Sequence, residues 1–269
     1  MSESTVPVNV DATSYYRSLG GGRYESTPHA QGAWDPNEQH MAPVTGIMTR
    51  ELLGFKPRDD MRLVRLNFDI LGQIPGGEFT LETTMLRPGR TIELLQCELH
   101  AGGRTAVRAT AWRLQTSDTS AVAALEDDAM PPLDDSVPWD GLAGWPGGFI
   151  RSVEARTIEG HRPGNGQVWI STPLETVEGE ATAPMVRLLG LADSSNGIAY
   201  RVRPGAGGYM FPNVDLSLHL YREPEGTWLG LDNTVTFADD GVGLTSTVLN
   251  DIHGPFGRAE QILTVRALP

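Results

Sequence analysis

Apolar and polar residues alternate strictly in two stretches of the chain. Val64, Leu66, Phe68 and Ile70 alternate with Arg65, Asn67 and Asp69; Val214, Leu216, Leu218 and Leu220 alternate with Asp215, Ser217 and His219. A period of two predicts a strand with one buried face, and the two runs share a phase at an offset of 150 residues. A turn follows each, Pro75-Gly76-Gly77 in one and Pro224-Glu225-Gly226 in the other. Two more strand-like runs come next, joined by hairpins at Ala101-Gly102-Gly103 and at Asp251-Ile252-His253-Gly254. Upstream of each block the period becomes helical. Val44, Ile47, Met48 and Leu52 share a face after Ala42-Pro43, and Met185, Leu188, Leu189 and Ala192 share one after Ala183-Pro184. Proline suits the first turn of a helix, so helices are expected over roughly Pro43 to Leu53 and Pro184 to Asn196. One helix and a long antiparallel meander, twice over, is an α+β pattern. Each helix should lie on the concave face of its curved sheet. Joining the sheets edge to edge would cover two exposed strand edges.

The stretch from Thr116 to Gly148 breaks this pattern. It holds seven acids (Asp118, Glu126, Asp127, Asp128, Asp134, Asp135 and Asp140), four prolines and no Lys or Arg. Such a segment reads as a linker or surface excursion. The expected organisation is therefore an N-terminal unit over 1–115, an acidic Pro-rich linker over 116–148 and a C-terminal unit over 149–269.

Composition narrows the function. With 34 acids against 21 bases the chain carries a formal charge of −13, which disfavours a surface built to coat nucleic acid. Lys56 is the only lysine. Cys97 is the only cysteine, which excludes an intramolecular disulfide and a cysteine metal cluster. Its setting in Leu94-Leu95-Gln96-Cys97-Glu98-Leu99 is that of a small buried strand residue. The first residues, Met1-Ser-Glu-Ser-Thr-Val-Pro, lack the basic and apolar regions of a signal peptide. No apolar run approaches the ~18 residues of a membrane span. A soluble cytoplasmic protein is the expectation. Gly20-Gly21-Gly22 lacks the lysine and helix of a phosphate loop, and no Gly-x-Ser-x-Gly is present.

Several passages resemble one family. They are Asn213-Val-Asp-Leu-Ser-Leu-His-Leu-Tyr-Arg222, Trp228-Leu-Gly-Leu-Asp232, the run from Asp240-Gly241 to Asp251, and Gly257-Arg-Ala-Glu-Gln261. With Gly32-Ala-Trp34-Asp-Pro-Asn-Glu-Gln-His40 before the first helix, the chain resembles the acyl-CoA thioesterases of double hot dog fold. The resemblance implies two tandem hot dog units, each a sheet wrapped around a central helix. It also implies hydrolysis of fatty acyl-CoA thioesters by direct attack of water, no cofactor, and a homodimer. In that family an Asp ending the second helix, a Ser or Thr opening the next strand, and a Gln on the last strand hold the hydrolytic water. Carried over by position, these fall on Asp193, Asn213 and Gln261. Asn213 departs from the family, since an amide has no hydroxyl proton to relay.

The residues themselves leave alternatives open. Asp193 directly follows an apolar helical face, where burial would raise its pKa towards that of a useful base. Asp193-Ser194-Ser195-Asn196-Gly197 equally reads as the polar exit of a helix ending at Gly. Gln261 alternates with Ala259, Leu263 and Val265, an amide on an apolar face. Asn213 shares its phase with Asp215, Ser217 and His219, which is the pattern of a solvent face. The repeat supplies a control: Leu52, Leu63 and Thr110 occupy the corresponding places in the first half, so a polar site here exists once per chain. A second reading is an enoyl-CoA hydratase. Asp35-Pro36-Asn37-Glu38-Gln39-His40 has that family's Asp-to-His spacing and intervening Asn, although Glu38-Gln39 replaces the Pro and apolar residue before the His. In a structural reading, His40 is a helix-entry residue and Asp35 begins a turn. A third reading is a non-catalytic acyl-CoA or lipid-binding protein. In each case polyanionic coenzyme A needs local arginines, for which Arg201, Arg203 and Arg222 are candidates.

Overall fold

The computed structural model describes residues 12–202 and 208–268. The first half runs β1 (Ser14–Gly20), β2 (Arg23–Ser26), α1 (Met41–Gly54), β3 (Met61–Ile70), β4 (Glu78–Arg87), β5 (Ile92–Ala101) and β6 (Arg104–Gln115). A short strand β7 (Val137–Pro138) and a helical turn α2 (Gly148–Arg151) follow. Then come β8 (Glu154–Thr157), β9 (Asn165–Ser171), β10 (Glu175–Val177), α3 (Pro184–Leu189), a 3-10 turn at Ala192–Ser194 and α4 (Ser195–Ile198). The chain ends with β11 (Tyr209–Met210), β12 (Asp215–Leu220), β13 (Trp228–Phe237), β14 (Val242–Asp251), β15 (Gly254–Thr264) and β16 (Arg266–Ala267).

Among the described residues, fourteen strands form one sheet in the order β10-β1-β2-β4-β5-β6-β3-β12-β15-β14-β13-β9-β8-β7, and β11 pairs with β16 apart from it. The two halves meet where β3 runs antiparallel to β12, with Phe68 opposite Leu216 and Leu66 opposite Leu218. The expected edge-to-edge join is therefore present. The sheet is mixed and not wholly antiparallel, because β10 of the second half pairs in parallel with β1 of the first.

α1 follows the predicted bounds closely, and His40 caps it: the ring Nδ1 accepts the Ala42 N–H at 3.1 Å. Every residue from Met41 to Thr49 is buried, as is Leu52. The helix packs on β4 and β5 and against α3, a placement that explains why its first nine residues are buried on all sides. The second helix departs from its predicted length. The stretch from Pro184 to Asn196 breaks after Leu189 into the 3-10 turn and then α4. Two causes act together. At the crossing of α1 and α3 a Cβ built on Gly46 would lie 3.2 Å from the Gly190 Cα, so the backbones touch where the helix ends. Beyond it, Asp193-Ser194-Ser195-Asn196 are residues whose side chains compete with the helical backbone.

Cys97 lies buried on β5, and burial pushes its thiol up to about 12. The acidic stretch is largely exposed, but it buries more than a linker would: Leu142 and Trp145 join the main core. Asp127 accepts hydrogen bonds from Arg258 and from the Tyr221 hydroxyl. Among the described residues no helix is long and apolar enough to cross a membrane.

Candidate active site

Alternation in the sequence misplaces Asn213, and the strand register shows why. Ser217 of β12 lies opposite Glu260 of β15, whereas Asn213 bridges to Leu263, a slip of one residue between the two pairings. Such a slip moves a side chain to the other face of the sheet. Asn213 thereby leaves the solvent phase of Ser217 and His219 and joins Gln261 and Leu263 on the inner face. A similar irregularity in β3, between Leu63 and Arg65, buries Leu63 while Val64 stays half-buried.

Both amides converge on Asp193. The Asn213 Nδ2 donates to Asp193 Oδ1 at 2.8 Å, and the Gln261 Nε2 donates to the same oxygen at 2.9 Å. Asn213 also donates to the Asp215 carbonyl at 3.0 Å, which uses both of its N–H groups. Gln261 is fully buried and its Oε1 has no partner among the described residues. The three residues carried over from the sequence are thus brought together. They bind one another through Oδ1, each amide donating one N–H to the carboxylate.

Asp193 is 6% exposed. Burial pushes its pKa up to about 6, against the downward pull of the two amide donors. Oδ1 is saturated, and among the described residues Oδ2 has no donor. The group facing Oδ2 comes from the first half, since His40 Nδ1 stands 3.4 Å away. Burial holds the His40 ring neutral, its pKa down to about 3, and the ring packs on Phe149 at 4.3 Å between centroids. His40 is the residue whose place in this site the sequence did not reveal. Its cap position was legible, its contact across the repeat was not. Asp35 accepts the Asn37 N–H at 2.7 Å within its own turn and does not line the cleft, so the hydratase-like pair is not assembled.

A cleft of about 350 Å³ opens over Asp193, His40 and Asn213. Beside it, a recess of about 40 Å³ is walled by Trp34, Leu142, Trp145 and Ile150. Trp34 and Trp145 meet edge to face at 5.1 Å. Of the arginines considered for coenzyme A, Arg222 is bound to Asp251 through both terminal nitrogens at 2.6 and 2.7 Å. Arg201 donates to the Val235 carbonyl, and Arg203 lies outside the described residues. Among the described residues the arginine lining the cleft is Arg266, exposed on β16. Among the described residues no group of three or more His, Cys, Asp or Glu is placed to hold a metal ion.

Two family models match the chain. Residues 30–114 match the acyl-CoA thioesterase N-terminal domain and residues 126–265 the acyl-CoA thioesterase C-terminal domain. No curated protein matches. Among solved structures, a putative thioesterase II from Thermobifida fusca is 21% identical with a TM-score of 0.72, over 97% of this chain and 99% of that one. A hot dog protein of unknown function from Alicyclobacillus acidocaldarius is 15% identical with a TM-score of 0.72, over 96% and 98%. The tesB protein of Mycobacterium avium subspecies paratuberculosis is 15% identical with a TM-score of 0.65, over 94% and 96%. At these identities the likeness is one of fold, and the fold is the hot dog. Since the matched segments account for most of its length, the chain belongs to the acyl-CoA thioesterase family and is a thioester hydrolase.

Proposed function

We propose that the protein hydrolyses an acyl-CoA thioester by direct attack of a water that Asp193 activates. The observation that carries this reading is the state of the carboxylate: buried, with one oxygen fixed by two amides and the other left as a base. A base whose pKa lies near the working pH balances ionisation against proton affinity. Asn213 has both N–H groups engaged, so its Oδ1 is the part of the amide able to accept a hydrogen bond from the water. As the water oxygen bonds to the carbonyl carbon, its proton passes to Asp193 Oδ2. The developing oxyanion needs a donor at ~3 Å. At the start of α1 the Ala42 N–H is taken by His40 and Pro43 has none, which leaves the Met41 N–H at the cleft. Collapse breaks the carbon–sulfur bond and releases the acid and coenzyme A.

The mixed sheet comprises two hot dog halves joined at β3 and β12, over 1–115 and 149–269, with 116–148 between them. The aromatic recess receives the acyl group, and Arg266 meets the phosphates of coenzyme A. A water fills on the order of 10–15 Å³ of such volume, so a 40 Å³ recess suits an acyl group of only a few carbons without rearrangement. The test is a panel of straight-chain acyl-CoA esters from acetyl to palmitoyl, followed by thiol release, with crotonyl-CoA hydration measured alongside. Hydrolysis strongest among the short esters is the expected result. Hydration without thiol release would overturn the hydrolytic reading.

A further inference from the structure

His40 Nδ1 lies 3.4 Å from Asp193 Oδ2 and simultaneously accepts the Ala42 N–H at 3.1 Å. That second bond fixes the protonation pattern of the ring. A nitrogen that accepts from a backbone N–H carries its lone pair outward, so the proton of the neutral ring sits on Nε2. The ring nitrogen has a single lone pair, directed to the Ala42 N–H, and the ionised Oδ2 at 3.4 Å makes no hydrogen bond with it. When Oδ2 carries a proton, its O–H shares that lone pair with the Ala42 N–H as a three-centre bond. Among the described residues, Asp193 is the one carboxylate within 4 Å of the ring; Glu38 lies on the same stretch of chain and Arg266 across the cleft. The ring is held in place by its cap bond and by Phe149.

We propose that His40 is a positioning residue for the hydrolysis, a neutral acceptor that receives the proton-bearing Oδ2 of Asp193 between attack and collapse. This rests on the hydrolytic reading above. In the first step the water oxygen bonds to the carbonyl carbon and its proton moves to Oδ2, where Nδ1 accepts the new O–H. In the second the carbon–sulfur bond breaks, its electron pair stays on sulfur, and the same proton returns from Oδ2 to that thiolate. His40 neither gains nor loses a proton, which agrees with the burial that keeps its ring neutral. A hydrogen bond made only to the protonated form of an acid raises its pKa. His40 therefore makes Asp193 a stronger base than burial alone would, and it compensates for a site whose other two side chains both favour the ionised form.

The experiment compares wild type with His40→Ser and His40→Asn. Serine is a strong helix cap but is too short to replace the ring nitrogen at Oδ2. Asparagine also caps, and its Oδ1 stands close to the place of Nδ1. Turnover of the best acyl-CoA ester is measured from pH 4.5 to 9, with thermal unfolding at each pH. For His40→Ser the acidic limb of kcat should move to lower pH by about half a unit or more, with the plateau rate down about tenfold or more. His40→Asn should recover part of both. A reduced plateau with an unmoved limb in both variants would assign His40 to the cap alone and overturn the proposal, as would unchanged kinetics. If His40→Ser does not fold, the limb of His40→Asn decides: a limb unmoved from wild type together with a reduced rate counts against the proposal. Asp193→Asn serves as the separate control. Turnover surviving in it overturns the hydrolytic reading itself, whatever His40 does.

Discussion

Asp193 is ionised at neutral pH in a place that opposes ionisation, and this cost shows in stability as well as in rate. Its folded pKa of about 6 lies above the ordinary 3.8, so between those values the folded protein binds more protons than the unfolded chain. Stability carried by this group is therefore gained as pH falls from about 6 towards 4, and forfeited above 6. A shift of that size corresponds to about 2–3 kcal/mol. Asp193→Asn should reduce kcat by roughly 10²–10⁴-fold while raising the melting temperature at pH 8 by several degrees. Scanning calorimetry at pH 8, 6 and 4 checks this; an advantage for the variant that does not shrink on acidification would contradict the account. His40 works in the opposite direction, since its depressed pKa costs stability as pH falls through about 6.5 towards 3. The comparison must therefore be between variants at one pH. Asp193 and Gln261 were visible in the sequence as polar residues beside or on apolar faces. Asn213 was not, because one slipped register reverses its face and nothing in the local pattern announces a slip. His40 and Asp193 are 153 positions apart, and only the tertiary fold makes them neighbours.

The helices set the precision of the site. Asp193 is held on the 3-10 turn that begins where α3 ends, and that end is fixed by the backbone contact of Gly190 with Gly46. Helical spacing predicted the start and buried face of α3 but not its break, because the cause lies in the partner helix and not in the local sequence. Gly46→Ala tests the crossing. Its Cβ would stand 3.2 Å from the Gly190 Cα and 3.4 Å from the Val186 carbonyl oxygen, both backbone atoms with little freedom to move. Alanine favours a helix over glycine by roughly 1 kcal/mol, whereas overpacking costs about 1–3 kcal/mol. The expected result is a net loss of stability in urea unfolding and a drop in kcat larger than the rise in KM, as the turn carrying Asp193 is displaced. A stabilised, fully active variant would show that the crossing tolerates more than its distances imply. Composition had a comparable limit in the acidic stretch. It announced a linker, and most of the stretch is solvated, but Trp145 near its end forms a wall of the aromatic recess. A single aromatic contributes little to average charge and much to a pocket.

At the scale of the molecule, the repeat explains why the two halves resemble one another while the chemistry does not repeat. The duplicated elements predicted the tandem pattern and an edge-to-edge join of the sheets, whereas the strands that make the join, β3 and β12, are seen only in the fold. They also predicted asymmetry, and the burial of the first half agrees: Leu52 and Leu63 are fully or almost fully enclosed in the core. The first half instead supplies His40 and Trp34 to the cleft over Asp193. Each half is thus incomplete, one carrying the carboxylate and its two amides, the other the imidazole and one wall of the recess. A second, equivalent cleft built on Leu52 would present apolar atoms where the cleft over Asp193 presents a carboxylate, and on the proposed mechanism it would have nothing to activate a water. Titration of the intact protein with a non-hydrolysable thioether analogue of the preferred acyl-CoA should therefore saturate at one ligand per chain. Isothermal calorimetry reads that number directly, and Asp193→Asn should leave it at one, because the carboxylate serves the chemistry more than the hold on coenzyme A. Two equivalent sites per chain would mean that the first half binds substrate without the acid and amides of the second. The assignment of the cleft to the residues around Asp193 would then fail, even with the fold intact.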